Sequence, residues 1–114
     1  MYTLVTGATS DIGKQICHTL AHEGHALLLT DLSELALIEL CESLHGDRHQ
    51  YVSLDFVDLD QARTNLQQFL VERKIVVSNA VFAAGLFAVR PLKTLSLDFC
   101  RKNFDIALFS AILN

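Results

Sequence analysis

Basic charge is scarce in this chain: nine Lys and Arg stand against thirteen Asp and Glu, for a formal net charge of −4. Nucleic acid and anionic membrane surfaces both call for a concentrated basic face, so neither is an expected partner. Long apolar runs are absent too. None reaches the roughly 18 residues of a membrane span, and the N-terminus has no basic region followed by an apolar segment and a cleavage site. A cytoplasmic protein is expected. Cysteine is limited to Cys17, Cys41 and Cys100, an odd number at wide spacing that predicts reduced, partly buried thiols rather than disulfides or a metal knuckle. Pro91 is the only proline, and it falls in a connecting loop. No repeat, low-complexity tract or long charge run marks a tail.

What is present is apolar residue in quantity, 51% of the chain against 19% charged, the balance of a packed protein. At 114 residues the chain is expected to form one domain, with room for a core but short of a complete α/β enzyme. Its opening carries the strongest local signal. Residues 2–5 form an apolar run of strand length, Thr6-Gly7-Ala8-Thr9-Ser10-Asp11-Ile12-Gly13 follows, and helical periodicity begins. Strand, glycine turn and helix N-terminus in that order suit a phosphate group. The first helical amides lack intrahelical acceptors, the macrodipole favours negative charge, and glycine lets backbone approach the ligand.

Along the first helix Ile12, Gly13, Ile16, Cys17 and Leu20 make an apolar stripe, with Gly13 placed to let the helix lie close to a sheet, and Gly24 supplies the stop. Residues 26–30 are a continuous apolar run, the pattern of a parallel strand covered on both faces, and Asp31 stands at its end. Ser33 caps a second helix with Leu37, Ile38, Cys41 and Leu44 inward, closed by Gly46. A third strand is expected at 50–54, ended by Asp55. A third helix from about Asp58 buries Ala62, Leu66, Phe69 and Leu70 and turns Arg63, Asn65, Gln67 and Glu72 outward. A fourth strand within 75–84 is centred on 80–83. Ser96 caps a final helix whose face, charged at Asp98, Arg101, Lys102 and Asp105, turns apolar at Leu108, Phe109 and Ile112. That change predicts a covering subunit or further chain.

Strands alternating with helices predict an α/β, Rossmann-like parallel sheet of order 3-2-1-4, incomplete on the far side of strand 4. That open edge and the last helix together point to a homo-oligomer. His18 and His22 sit i, i+4 with His25 nearby, but they lie opposite the apolar stripe with no acidic or cysteine ligand beside them. No metal site is expected.

Thr6, Gly7, Ile12 and Gly13 stand where the short-chain dehydrogenase/reductase family has T-G-x-x-x-G-x-G, and the chain resembles that family over its whole length. Asp11 replaces the middle glycine, the one that approaches the pyrophosphate. The resemblance implies cofactor contacts from Gly7, Thr9, Ser10, Asp11, Ile12 and Gly13. Asp31, 24 residues after Gly7, matches the family's ribose-binding acid. With the non-basic Leu32 beside it, Asp31 favours NAD(H) over NADP(H), because a carboxylate repels a 2′-phosphate. Asp55-Phe56 resembles the pair that reads the adenine edge. Phe82-Ala83-Ala84-Gly85 resembles the N-N-A-G motif without its asparagines, whose hydrogen bonds must be replaced or absent.

Asn103 resembles the asparagine of the family's Asn-Ser-Tyr-Lys tetrad, which holds a water in the proton relay; with the tetrad incomplete, satisfying a backbone carbonyl is the plainer role. A Tyr-x-x-x-Lys is missing, since Thr6 follows Tyr2 and Asp55 follows Tyr51 at that distance. The resemblance therefore implies the N-terminal, cofactor-binding half of an NAD(P)-dependent oxidoreductase, with the catalytic Ser/Tyr/Lys half missing, retaining at most dinucleotide binding. Two alternatives stand beside it: a non-catalytic nucleotide-binding or interaction module, and a truncated gene product without activity.

Overall fold

In a computed structural model, described for residues 1–55 and 57–83, strands and helices alternate along the chain. The elements are β1 (Tyr2–Thr6), α1 (Asp11–His22), β2 (Ala26–Asp31), α2 (Glu34–Ser43), β3 (Gln50–Ser53), α3 (Leu59–Arg73) and β4 (Val77–Phe82). All strand pairs are parallel and the order is β3-β2-β1-β4, as the alternation predicts. The Pro91 loop and the final helix, with Leu108, Phe109 and Ile112, lie outside the described residues, as do Cys100, Phe56, Ala84, Gly85 and Asn103. The homo-oligomer expectation rests in part on that final helix. Among the described residues no helix is long and apolar enough to cross a membrane.

Period-two alternation in β1 and β2 divides the interior into two cores. Val5, Leu27 and Leu29 face α1 and α2, where they meet Cys17, Ala21, Leu37, Leu40 and Leu44. Leu4 and Leu28 face the other way, against Leu54, Ala62, Leu66 and Ile75. The run at 26–30 is apolar throughout because both its faces are covered. Each such fully buried leucine contributes roughly 1.5–3 kcal/mol.

Helix boundaries follow local chemistry. Ser10, Ser33 and Asp58 cap α1, α2 and α3 by accepting from the amides of Gly13, Ala36 and Gln61. Past the end of α1, Gly24 takes a left-handed φ of 93° and its amide donates to the Ala21 carbonyl, the role its position predicts. No glycine follows α3, and Lys74 itself adopts φ 54° there.

Four details differ from the periodicity. Ile12 is not part of the inward stripe: it is 66% exposed, and Gly13, Cys17 and Ala21 form the buried row. Leu40 is buried in α2, while Ile38 and Cys41 are half-buried. Gly46 lies beyond the end of α2, which stops at Ser43 with Leu44 as its cap. Arg63 and Gln67 are half-buried rather than turned fully outward.

β4 also begins earlier than its apolar core suggests. Ser78 and Asn79 belong to it, and its register with β1 shifts between Tyr2 and Thr3. An irregular strand with exposed positions tolerates polar residues that an apolar-run criterion rejects.

A histidine side chain extends the β2–β3 ladder. Pairing starts at Leu28↔Gln50, and one residue earlier the Leu27 amide donates to His49 Nδ1 at 3.1 Å. The other ring nitrogen, Nε2, lies 2.7 Å from the His45 carbonyl oxygen. A carbonyl only accepts, so Nε2 carries the proton and Nδ1 is the acceptor. His22, read above as half of a helical pair, stacks instead on His45 with ring centroids 5.1 Å apart.

Candidate functional site

The carboxyl ends of the strands lie in one row, with Thr6 level with Thr30 and Phe82, and Asp31 level with Ser53. In an open parallel sheet the ligand crevice lies outside these ends, where the connections diverge. Here that place is between β1 and β4, whose following loops begin at Gly7 and Ala83. Ala83 is tied back by its amide, which donates to the Thr6 carbonyl at 3.0 Å.

The glycine loop is built from internal bonds. Gly7 takes a left-handed φ of 65°, which turns the chain sharply out of β1. Its carbonyl accepts from the Ser10 amide at 3.1 Å and from the Ser10 hydroxyl at 2.7 Å. Ser10 Oγ in turn accepts from the Gly13 amide at 3.0 Å. A Cβ on Gly13 would lie 2.1 Å from the Gly7 oxygen and 3.0 Å from the Ala8 carbonyl carbon. The close approach that Gly13 permits is therefore to its own loop, not to the sheet as its place on the stripe suggests.

A count of loop amides shows what is left for a ligand. Ala8 donates to the Thr30 carbonyl, Thr9 to Asp31 Oδ2, Ser10 to Gly7, and Gly13 to Ser10. Asp11 and Ile12 head α1, and their amides have no intrahelical acceptor. These two donors, at the positive end of a helix, are the loop's anion-binding capacity. Asp11 itself is exposed, so its carboxylate competes for the same end of the dipole without filling the loop.

Asp31 is brought directly onto the loop. Its Oδ2 accepts from the Thr9 amide at 3.0 Å and from the Thr9 hydroxyl, and its Oδ1 accepts from the Leu32 amide at 2.8 Å. This link between residues 9 and 31 is invisible to periodicity, because it arises from two strand ends made neighbours by parallel pairing. Asp55 follows β3 and accepts from the Val57 amide at 2.9 Å through Oδ1.

Three apolar side chains stand exposed at this end, Ile12 in the first turn of α1 at 66% and Leu32 and Val57 on loops at 63% and 94%. Val57 was not singled out by the sequence. A groove of about 330 Å³ runs beside β3, lined by Tyr51, Phe69 and Arg73 among others, and it contains none of the candidate site residues.

Thr6 shows the effect of a missing polar partner. It is 1% exposed, and its Oγ1 is buried with no hydrogen-bond partner among the described residues. The residue level with it on β4 is Phe82, at the first position of the degraded N-N-A-G motif.

Sheet order, crevice and capped glycine loop together define a protein of the doubly wound, dinucleotide-binding class of folds. A profile of the short chain dehydrogenase family matches residues 2–114, and the chain belongs to that family. It is 28% identical over 110 residues to a diacetyl reductase [(S)-acetoin forming] of Staphylococcus epidermidis, covering 96% of this chain and 43% of the reductase. The chain thus spans less than half the length of that curated relative. Serine dehydrogenase from Escherichia coli superposes with a TM-score of 0.69 at 24% identity, over 99% of this chain and 55% of its own. A blue fluorescent protein from a metagenomic library, solved in complex with NADPH, superposes with a TM-score of 0.68 at 28% identity, over 98% of this chain and 48% of its own.

Proposed function

We propose that this chain is the dinucleotide-binding part, residues 1–114 as one domain, of a short-chain oxidoreductase that uses NAD(H) in preference to NADP(H). The observation that carries this reading is the convergence at one end of the sheet of two acceptor-free amides, Asp11 and Ile12, and the Asp31 carboxylate on the neighbouring strand. A pyrophosphate fits the first and a ribose hydroxyl the second. The Oδ1 oxygen of Asp31 takes one hydrogen bond, from Leu32, and retains a lone pair for a ribose O–H. Exposed Ile12, Leu32 and Val57 supply apolar surface beside the polar contacts, which a bound nucleotide would cover. Asp55, Phe56, Ala83, Ala84 and Gly85 complete the assigned cofactor contacts with Gly7, Thr9, Ser10 and Gly13, and Asn103, which resembles the family's relay asparagine, is assigned the structural role of satisfying a backbone carbonyl.

Preference for NAD(H) follows from charge. A 2′-phosphate at Asp31 would meet a carboxylate, and the next residue, Leu32, offers no compensating cation. The nicotinamide ring, when bound, supplies the hydride. Reduction of a carbonyl also requires a proton donor beside the substrate oxygen. These 114 residues hold no Tyr-x-x-x-Lys, so the proposed role of this stretch is to bind and orient the cofactor. By the naming of its reductase relative, the whole protein's reaction is assigned to carbonyl reduction.

Fluorescence titration of the purified chain with NADH tests the reading. A saturable signal at submillimolar cofactor is the expected result. No saturation at millimolar NADH overturns it.

A further inference from the structure

We infer that Thr9 is a positioning residue that fixes the Asp31 carboxylate, so that discrimination between NADH and NADPH is set by the Thr9–Asp31 pair and not by Asp31 alone. This rests on the cofactor site proposed above.

Three donors from two loops converge on one carboxylate. Thr9 gives both its amide, at 3.0 Å, and its hydroxyl to Oδ2, and Leu32 gives its amide to Oδ1 at 2.8 Å. A carboxylate oxygen has about two lone-pair sites, so Oδ2 is filled and Oδ1 has one left. The side chain is thereby held with a single acceptor position open. Rotation about its last bond would break bonds on both oxygens at once.

The same contacts dispose of an anion site. The Thr9 amide is the one loop N–H, between the Thr30-bound Ala8 and the Gly7-bound Ser10, that neither the backbone nor the head of α1 accounts for. It is spent on the protein's own carboxylate. A 2′-phosphate near residue 31 therefore meets a fixed negative charge, and the Thr9 amide is not free to bind it. Without the Thr9 hydroxyl the carboxylate is held on Oδ2 by the amide alone and turns more freely toward solvent, and the charge barrier to a phosphate falls.

The test compares wild type, Thr9→Val and Thr9→Ser. Valine keeps the size and the amide but removes the hydroxyl, and serine restores it. NADH and NADPH titrations are expected to show the ratio of dissociation constants, NADPH over NADH, about tenfold smaller in Thr9→Val than in wild type, and unchanged in Thr9→Ser, as loss of a charge-assisted hydrogen bond implies. An unchanged ratio in Thr9→Val overturns the inference. So does an equal weakening of both cofactors, which is what a merely structural role in the loop would give.

Amide hydrogen exchange on the free chain reads the pair without any cofactor. Residue 9 and Leu32 are expected to exchange several-fold faster in Thr9→Val and at the wild-type rate in Thr9→Ser. Unaltered exchange in Thr9→Val overturns the pair. If wild type binds neither nucleotide, the proposed function fails, and the exchange result decides the positioning role by itself.

Discussion

Replacing Gly13 by alanine sets two effects of opposite sign against each other, and the structure determines which wins. On propensity alone the change helps, since alanine is favoured over glycine inside a helix by about 1 kcal/mol. The new Cβ, however, would lie 2.1 Å from the Gly7 carbonyl oxygen, where ordinary contact begins at 3.4 Å, and 2.9 Å from Ser10 Oγ. Backbone on one side or the other must move by more than an ångström. Three hydrogen bonds meet at that point: Ser10 amide to Gly7 at 3.1 Å, Ser10 hydroxyl to Gly7 at 2.7 Å, and Gly13 amide to Ser10 Oγ at 3.0 Å. At about 1 kcal/mol net for each, their loss outweighs the propensity gain by about 2 kcal/mol before any steric strain is added. For a domain near 100 residues that lowers the melting temperature by roughly 10 °C. Urea unfolding followed by circular dichroism is the assay, with a lower midpoint at unchanged slope expected. NADH affinity should fall at least tenfold with it, because the Asp11 and Ile12 amides move with the loop. A Gly13→Ala chain as stable as wild type would refute the reasoning.

Thr6→Val tests the hydroxyl that has no partner among the described residues. A buried unpaired O–H costs about 1–3 kcal/mol, so an isosteric methyl should raise the urea midpoint, and a lower one would mean that Oγ1 has a partner. Asp11→Gly removes a negative charge from the pyrophosphate end of α1; NADH should bind about tenfold tighter, while stability drops by about 1 kcal/mol through lost dipole and propensity terms. Equal affinity would show that Asp11 does not face the cofactor. Burial pushes the Cys17 thiol up from 9.0 to about 12. The folded chain then holds this proton where the unfolded chain has released it, so stability is level below pH 9 and declines between pH 9 and 12. Cys17→Ser, whose hydroxyl does not titrate there, should flatten that decline, and alkylation of Cys17 at pH 8 should await unfolding.

Much of the fold was legible because its burial is periodic. The doubly covered run at 26–30, the alternation of Leu4 and Val5, and the rows at Leu37 and Leu44 or Ala62 and Leu66 each repeat at the spacing of their element. The failures have local causes. Leu40 escapes the periodicity because leucines at 35, 37 and 40 in α2 and at 44 just past it spread around the helix and blur which face is inward. Ile12 fits the helical spacing but lies one residue, about 100° around the helix, from the buried row of Gly13, Cys17 and Ala21. β4 reaches past its apolar run because Ser78 and Asn79 interrupt that run while the pairing with β1 goes through backbone, which is indifferent to side-chain polarity.

The site was legible in its parts and not in its connections. Gly7, Gly13 and Asp31 are marked by type and place, and each marking has a physical basis in turn, close approach or charge. That Thr9 and Asp31 bond is a consequence of register. Thr6 pairs with Thr30, so Thr9, three residues past the end of β1, meets Asp31, the last residue of β2. No one-dimensional pattern contains that meeting, because the two segments are 22 residues apart and neither shows a periodicity referring to the other. The same register puts Phe82 beside Thr6 and leaves a buried hydroxyl without a partner among the described residues. One set of strand alignments thus creates both the best-satisfied polar group of this region and its least-satisfied one. A polar side chain at a strand end is therefore judged by what the neighbouring segment brings to it: Asp31 meets Thr9 of the loop after β1 and is held, and Thr6 stands level with Phe82 and has no partner among the described residues.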